Sequence, residues 1–186
     1  MELTATEQTR LLRLARETLN AFLTDSKIPE WQHDEILSAL NTVKTGAFVT
    51  LTHGEQLRGC IGFTESDDPL PAVIQEAAIA AATRDPRFPS VRATELSALT
   101  IEISVLTLPE PVPDISLIGV GRHGLIVERE WSRGLLLPQV PVEWGWDREE
   151  FLAHACEKAG LPITAWQDPD TKIYWFEAIV FHEDNR

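Results

Sequence analysis

The pattern that most constrains the fold is the stretch at residues 99–108 (LTIEISVLTL), where apolar and polar residues alternate. Side chains of an extended strand point to opposite faces in turn, so its apolar residues share one face. They are Leu99, Ile101, Ile103 and Val105. The alternation predicts a half-buried β-strand, and it is the clearest strand pattern in the chain. The chain is therefore expected to contain a sheet with one apolar face.

Further segments have the composition of strands, and most of them occur as neighbouring pairs. These segments are residues 47–52 and 56–63, joined by a loop at His53 and Gly54; residues 124–129 and 134–137, ending at Pro138; and residues 173–181. Hairpins pair neighbouring strands antiparallel, so the sheet is expected to be mainly antiparallel.

Three helices are predicted from start signals that precede apolar residues at helical spacing. The signals are a capping box at Thr4 and Glu7, the sequence Asp67, Asp68 and Pro69 as N-cap and first-turn proline, and a capping box at Asp147 and Glu150. The first helix should cover residues 5–23, whereas residues 27–45 should be mostly irregular, with only a weak helical pattern at residues 35–40. These elements predict an α+β fold, a mainly antiparallel sheet with about three principal helices packed around it. The length of 186 residues fits one domain over residues 1–186.

Charge and composition exclude several classes of protein. The net charge of −13 repels polyanions, so nucleic acid is an unfavourable partner. No apolar run approaches the length of a membrane helix, and the N-terminus lacks the pattern of a secretion signal. The 2 cysteines form no disulfide framework, which favours a reducing, cytoplasmic compartment.

The segment at residues 57–62 is the strongest candidate for a functional site. In a regular strand Leu57, Gly59 and Ile61 face one way, and Arg58 and Cys60 face the other. A neighbouring cation favours the thiolate and lowers the pKa of a cysteine, which would make Cys60 a nucleophile. We expect the small residues Gly59 and Gly62 to leave the backbone open to a ligand.

A second cluster of charged residues follows the second predicted helix. Arg84, Asp85 and Arg87 return either to the edge of the sheet that carries Cys60 or to the opposite edge, and the sequence leaves both open. If they return to Cys60, the arginines would line a basic pocket for a small carboxylate or phosphate. Alternatively, these arginines only complement the dipole at the end of the helix.

Structural roles compete with these functional ones. Cysteine is among the most buried residue types, so Cys60 has packing as its alternative role, and Cys156 is expected in the core. His53 is the candidate general base nearest to Cys60 along the chain, although a solvated loop histidine is more common. The histidines have no metal-ligand spacing and no nucleotide-binding motif is present, so neither a metal nor a cofactor is expected.

The tryptophans near the second predicted hairpin have two alternative roles. Trp131, Trp144 and Trp146 could form an exposed contact surface, or they could pack in the core. Core packing is the expected role.

Two motifs resemble a known family. LRGCIGF at residues 57–63 and RDPRFPSV at residues 84–91 are similar to the AMMECR domain family, called AmmeMemoRadiSam system protein A in bacteria and archaea. Further matches, in the same order, are IEISVL, GRHGLIV, LLLPQV and FLAHACEKAGL. The resemblance implies an α+β fold, and it spans nearly the whole chain.

The resemblance also implies a site and partners. It implies that the LRGCIG segment lines the functional site, and it extends less firmly to the residues of the second motif. Together with the strand reasoning above, this gives catalytic candidates (Cys60, Arg58) and binding candidates (Leu57, Gly59, Ile61, Gly62, Arg84, Asp85, Arg87). It implies a Memo-like protein and a radical S-adenosylmethionine enzyme as partners. The chain has no CxxxCxxC motif, so it is not the radical enzyme itself.

Two functional hypotheses follow. In the first, Cys60 is the nucleophile or thiol acceptor of an enzyme or enzyme subunit in a modification pathway, and Arg58 orients a small anionic substrate. In the second, the protein is a non-catalytic module that recognises an anionic ligand or a partner protein through the same pocket. The sequence offers no clear general base beside Cys60, which favours the second hypothesis.

Overall fold

The structure, a computed structural model, describes residues 2–183. It contains two compact units. The first unit runs to Leu106 and resumes at Ile179, and the second comprises Thr107–Ala178. Each unit has its own sheet and its own cluster of buried apolar side chains. The single domain expected over residues 1–186 stays a prediction.

The described residues form five α-helices and eight β-strands. The helices are α1 (Ala5–Leu23), α2 (Glu35–Ala39), α3 (Leu70–Thr83), α4 (Gln139–Trp144) and α5 (Arg148–Lys158). The strands are β1 (Ala47–His53), β2 (Gln56–Phe63), β3 (Thr100–Leu106), β4 (Glu110–Pro111), β5 (Gly124–Arg129), β6 (Ser132–Leu136), β7 (Lys172–Phe176) and β8 (Ala178–His182). The α+β prediction is confirmed, with α1, α3 and α5 as the three long helices. Within residues 2–183, no helix has the length and apolar character needed to cross a membrane.

The sheet of the first unit has the strand order β2-β1-β3-β8, and β1 pairs antiparallel with both β2 and β3. Helices α1 and α3 pack on this sheet and on each other. The predicted alternation in β3 is confirmed, because Ile101, Ile103 and Val105 are fully buried. Their neighbours Val49 and Leu51 on β1 are buried on the same face. The apolar face predicted from sequence is thus the face that the helices cover.

The starts of the two long helices in this unit differ from each other. At α1 the predicted capping box is confirmed, since the Thr4 hydroxyl accepts the Glu7 N–H and the Glu7 carboxylate accepts the Thr4 N–H. At α3 the predicted aspartate cap is wrong, because Pro69 occupies the N-cap position. The free N–H of Leu70 is satisfied by the backbone carbonyl of Val43 instead, at 2.9 Å.

The sheet of the second unit has the order β4-β7-β5-β6, with every neighbouring pair antiparallel. Helix α5 begins with the predicted capping box of Asp147 and Glu150. Its apolar face buries Phe151 and Leu152, together with Cys156, which lies in the core as predicted.

The core role predicted for the tryptophans is wrong for two of them. Trp131 lies in the tight turn between β5 and β6, where its side chain is 100% exposed. Trp144 is the last residue of α4 and is 71% exposed. A turn residue and a helix-terminal residue both lie beyond the apolar face of their own element, so apolar character alone does not bury them.

The prediction of one continuous strand at residues 173–181 is also wrong. Strand β7 ends at Phe176 in the sheet of the second unit, and β8 begins at Ala178 in the sheet of the first. Glu177 interrupts them, because its N–H donates to the Thr107 hydroxyl at 2.8 Å and its carbonyl accepts the Thr107 N–H. These bonds hold the chain at the point where it leaves one sheet for the other.

Candidate functional site

Strand β2 carries the candidate site, and its register is irregular at Arg58. Thr50 lies opposite Cys60 and Leu51 opposite Gly59, but the next residue of β1, Thr52, lies opposite Leu57. Arg58 is therefore the extra residue of a β-bulge. A bulge reverses the alternation of a strand, which a regular pattern does not reveal. The prediction that Leu57 shares a face with Gly59 is consequently wrong, and the Leu57 side chain is exposed.

Arg58 is bound by the segment that follows α3 rather than by Cys60. Its guanidinium donates to the carbonyl oxygens of Pro89 at 2.8 Å and Ser90 at 3.4 Å, and forms an ion pair with Glu95 at 3.0 Å. Its side chain is only 17% exposed. The bulge removes Arg58 from the face of Cys60, so the prediction that these two side chains share a strand face is wrong. The contacts of Arg58 instead hold strand β2 to the segment after α3.

Cys60 is held between β1 and the segment after α3. Its N–H donates to the Asp85 carboxylate at 2.9 Å, and its sulfur accepts a hydrogen bond from the Thr50 hydroxyl at 3.3 Å. Burial raises the pKa of the Cys60 thiol, and the Thr50 hydrogen bond and the charge of Arg87 oppose this only in part. The carboxylates of Asp85 and Glu102 raise the pKa further. The surroundings of the thiol therefore disfavour the thiolate.

Asp85 joins strand β2 to the loop after α3. Its side chain is almost fully buried and accepts the Cys60 N–H, the Arg87 N–H and two guanidinium bonds from Arg87 at 3.0 and 2.8 Å. The guanidinium bonds from Arg87 are the main reason that the pKa of Asp85 lies well below its usual range. The same pairing raises the pKa of Arg87. Asp85 is thus a charged acceptor fully satisfied by donors.

The two other candidate arginines, Arg84 and Arg87, have different partners and lie in different places. Arg87 returns to the strand of Cys60, and its side chain remains 55% exposed. Arg84 does not return, because it ends α3 and faces Glu76 of the same helix at 3.6 Å. The three-arginine pocket considered from the sequence therefore does not form, and of the three candidate arginines Arg87 is the one that is exposed beside Cys60.

The space beside the two motif glycines, Gly59 and Gly62, is occupied by other parts of the protein. A Cβ at Gly59 would lie 2.1 Å from the backbone oxygen of Ala81 in α3. A Cβ at Gly62 would lie 2.3 Å from the oxygen of Ala47 and 2.5 Å from the ring of Phe48. The expectation that both glycines leave the backbone open to a ligand is wrong at this side of the chain, because α3 and β1 occupy the space.

Ile61 and His53 complete the predicted set. Ile61 packs against the core of the first unit, opposite the buried Val49. His53 ends β1, three residues beyond Thr50, and this separation is about 10 Å along a strand. His53 is therefore too far from the thiol to take its proton directly. Among residues 2–183, no group of three His, Cys, Asp or Glu side chains is arranged to hold a metal ion.

Sequence reasoning missed Thr50 and Glu102, which lie opposite each other on β1 and β3 and act on the thiol of Cys60. The sequence does predict the orientation of Thr50, because it lies between the apolar residues Val49 and Leu51. Its side chain must therefore point to the face of β1 opposite to theirs. No local pattern could have paired it with Cys60, since this depends on the register of the hairpin.

The fold and site define an α+β protein whose antiparallel sheet carries a cysteine with its backbone N–H bound by a loop carboxylate. The chain belongs to the AMMECR1 family, whose sequence model matches residues 12–181. A protein of Methanothermobacter thermautotrophicus is 50% identical over 180 residues, covering 94% of this chain and 93% of its own length. A Thermococcus gammatolerans protein is 50% identical over 184 residues, covering 94% and 89%. The crystal structure of an uncharacterized protein from Pyrococcus horikoshii is similar, with a TM-score of 0.85, 45% identity and coverage of 99% and 95%.

Proposed function

We propose that this protein is a non-catalytic recognition module that binds a carboxylate or phosphate group at Arg87. The proposal rests on the Arg87 guanidinium, which is held by hydrogen bonds and is also exposed. Asp85 fixes it through Nε and Nη2, yet more than half of the side chain is exposed. A guanidinium held in one orientation loses little conformational entropy when it binds a further acceptor.

The protonation state of Cys60 supports recognition over catalysis. A thiol nucleophile needs a lowered pKa, and burial moves the pKa of Cys60 in the opposite direction. Arg58, which would have to stabilise a thiolate, is occupied by Pro89, Ser90 and Glu95. In this proposal the side chain of Cys60 is only a small neutral group. Its backbone N–H donates to the Asp85 carboxylate and so holds Asp85 in place.

The anionic group can belong to a small molecule or to a partner. The family resemblance implies a Memo-like protein and a radical S-adenosylmethionine enzyme, and we propose these as the first partners to test. Asp85 offsets much of the charge of Arg87, so the affinity for an isolated anion should be weak and most of the binding energy should come from the rest of the ligand.

Loss of Arg87 should weaken the binding of inorganic phosphate, the simplest probe of this site. We expect saturable phosphate-induced shifts of the Cys60 amide in ¹H–¹⁵N NMR spectra, and an affinity about tenfold lower in Arg87→Ala, since a charged hydrogen bond contributes about 1.5 kcal/mol. Arg84→Ala is the matched control, because it removes an equally exposed arginine of the same segment. Equal phosphate affinities in the two variants would refute the proposal.

The pH dependence of alkylation tests the neutral thiol. We expect iodoacetamide to modify Cys60 with an apparent pKa above the ordinary value of about 8.5, because burial disfavours the thiolate. Cys156, which is buried in the core, is the internal comparison and should react only on unfolding. Cys60→Ser should keep phosphate binding within severalfold. A Cys60 pKa well below 8.5 would instead support the thiolate enzyme.

A further inference from the structure

Three side chains form a row across the sheet of the first unit. Thr50 of β1 lies opposite Cys60 of β2 and also opposite Glu102 of β3, and we refer to these three residues as the Thr50 row. Residues opposite each other in antiparallel strands point their side chains to the same face. The row alternates with the buried residues Val49 and Ile101, so it lies on the face that the helices do not cover. All three residues are half-buried, so solvent reaches the row.

The two ends of the Thr50 row carry opposite charges. At the β2 end, Asp85 fixes the guanidinium of Arg87, whose charge acts on the Cys60 thiol. At the β3 end lies the carboxylate of Glu102, which acts on the same thiol. Neighbouring strands are about 4.8 Å apart, so the backbone positions of residues 60 and 102 are separated by about 10 Å. The row is therefore an elongated polar strip with a cation at one end and an anion at the other.

The carboxylate of Glu102 lacks a counter-charge from the protein. Among residues 2–183, no lysine or arginine forms an ion pair with it. The carboxylate of Asp85, in contrast, is paired with Arg87. The site thus contains one cation and two carboxylates, and the carboxylate on β3 is the unpaired one. A half-buried charge is stabilised by the approach of an opposite charge, so Glu102 favours a ligand that carries a cation.

An aromatic side chain borders the row on the same face. Phe48 and Gly62 lie opposite each other, two residues along their strands from Thr50 and Cys60, and so share the face of the row. A Cβ at Gly62 would lie 2.5 Å from Cγ of Phe48, so the ring lies against this glycine. Phe48 is itself half-buried. Its ring provides an apolar contact for the hydrocarbon part of a ligand that lies along the row.

We propose that the Thr50 row binds a small zwitterion whose carboxylate contacts Arg87 and whose ammonium group contacts Glu102. This inference rests on the anion site proposed at Arg87 and specifies the class of ligand that the site takes. The two charged groups of the ligand must be several bonds apart, because strand β1 lies between β2 and β3. An ω-amino acid such as 6-aminohexanoate has this form, with a hydrocarbon chain that passes over Thr50 beside Phe48. An isolated anion binds less tightly, because Glu102 repels it.

A pair of matched ligands tests the proposal. 6-Aminohexanoate carries both charges, whereas hexanoate has the same chain without the ammonium group. In ¹H–¹⁵N NMR titrations of the wild type we expect 6-aminohexanoate to bind about tenfold more tightly, because it makes one more charged hydrogen bond. It should shift the amide signals of both Cys60 and Glu102, whereas hexanoate should shift that of Cys60 alone. Equal affinities for the two ligands would overturn the proposal.

Two glutamate variants localise the ammonium group. Glu102→Gln should reduce the preference for 6-aminohexanoate over hexanoate to within about twofold, because the counter-charge is gone. Its phosphate affinity should not fall, because Arg87 is unchanged, and this also shows that the variant is folded. Glu55→Gln is the matched control, since it removes the same charge from the exposed turn between β1 and β2 and should keep the tenfold preference. A preference that survives in Glu102→Gln would contradict the proposal.

Phosphate binding separates a failure of this inference from a failure of the anion site. If Arg87→Ala weakens phosphate binding but the wild type binds the two organic ligands equally, the anion site stands and the zwitterion proposal is wrong. If Arg87→Ala leaves the phosphate affinity unchanged, both are wrong.

Discussion

Gly59→Ala should lower the free energy of unfolding by about 3 kcal/mol, because the added Cβ meets backbone rather than a flexible side chain. The atom in its path is the oxygen of Ala81 in α3, 2.1 Å away. Relief of this clash requires α3 to move away from β2, which opens the core of the first unit. Urea denaturation of the two proteins at pH 7 would measure the change.

Gly119→Ala provides the control for this substitution. An added Cβ there would lie 3.4 Å from the nearest atom, the Cβ of Arg122, and the backbone has no positive φ. We expect a change within about 0.5 kcal/mol, because the site has space for a methyl group. Similar denaturation midpoints for the two variants would show that α3 does not rest on Gly59 as closely as the structure describes.

Asp85→Ala should also destabilise the protein by about 3 kcal/mol, because it leaves the Cys60 N–H without its charged acceptor and Arg87 without its partner. Asp85→Asn should cost about half as much, since an amide oxygen still accepts one of these hydrogen bonds. Asp68→Ala, which removes an exposed aspartate from the same unit, should change stability by less than about 0.5 kcal/mol.

The contribution of Asp85 should depend on pH in a defined direction. Its folded pKa lies below its unfolded value of about 3.9, so the carboxylate stabilises the fold fully above that value. The stabilisation is lost as the pH falls below about 4 toward the folded pKa. Urea denaturation should therefore show a smaller difference between wild type and Asp85→Ala near pH 3 than at pH 7. An equal difference at both values would mean that the charge of Asp85 is not what holds β2 to the loop.

These two predictions give the LRGCIG motif a structural role that its chemistry alone does not suggest. Gly59 provides the contact with α3, Arg58 holds the segment at Pro89 and Ser90, and the Cys60 N–H receives Asp85. Every one of these contacts joins β2 to residues that follow it in the chain. The motif thus fixes the position of the loop that presents Arg87, which is the group we propose to bind an anion.

The candidate site was predictable in its location but not in its geometry. The sequence identified the segments that contain Cys60, Asp85 and Arg87, because glycines, a cysteine and clustered charges are visible locally. It placed Arg58 beside Cys60, since a regular strand puts residues two apart on the same face. The bulge at Arg58 removes that relation, and a bulge depends on the pairing of two strands rather than on one of them.

Local interactions explain what the sequence alone determined about this protein. The capping boxes at α1 and α5, the alternation of β3 and the hairpin of β1 and β2 each rest on residues near one another in the chain. The tertiary structure decided the bulge at Arg58, the contact of Asp85 with Cys60, and the division of the last predicted strand at Glu177 between two sheets. Each of these depends on strand register or on partners 25 to 70 residues away. Their free energy comes from contacts that exist only once the chain has folded, so no local pattern records them.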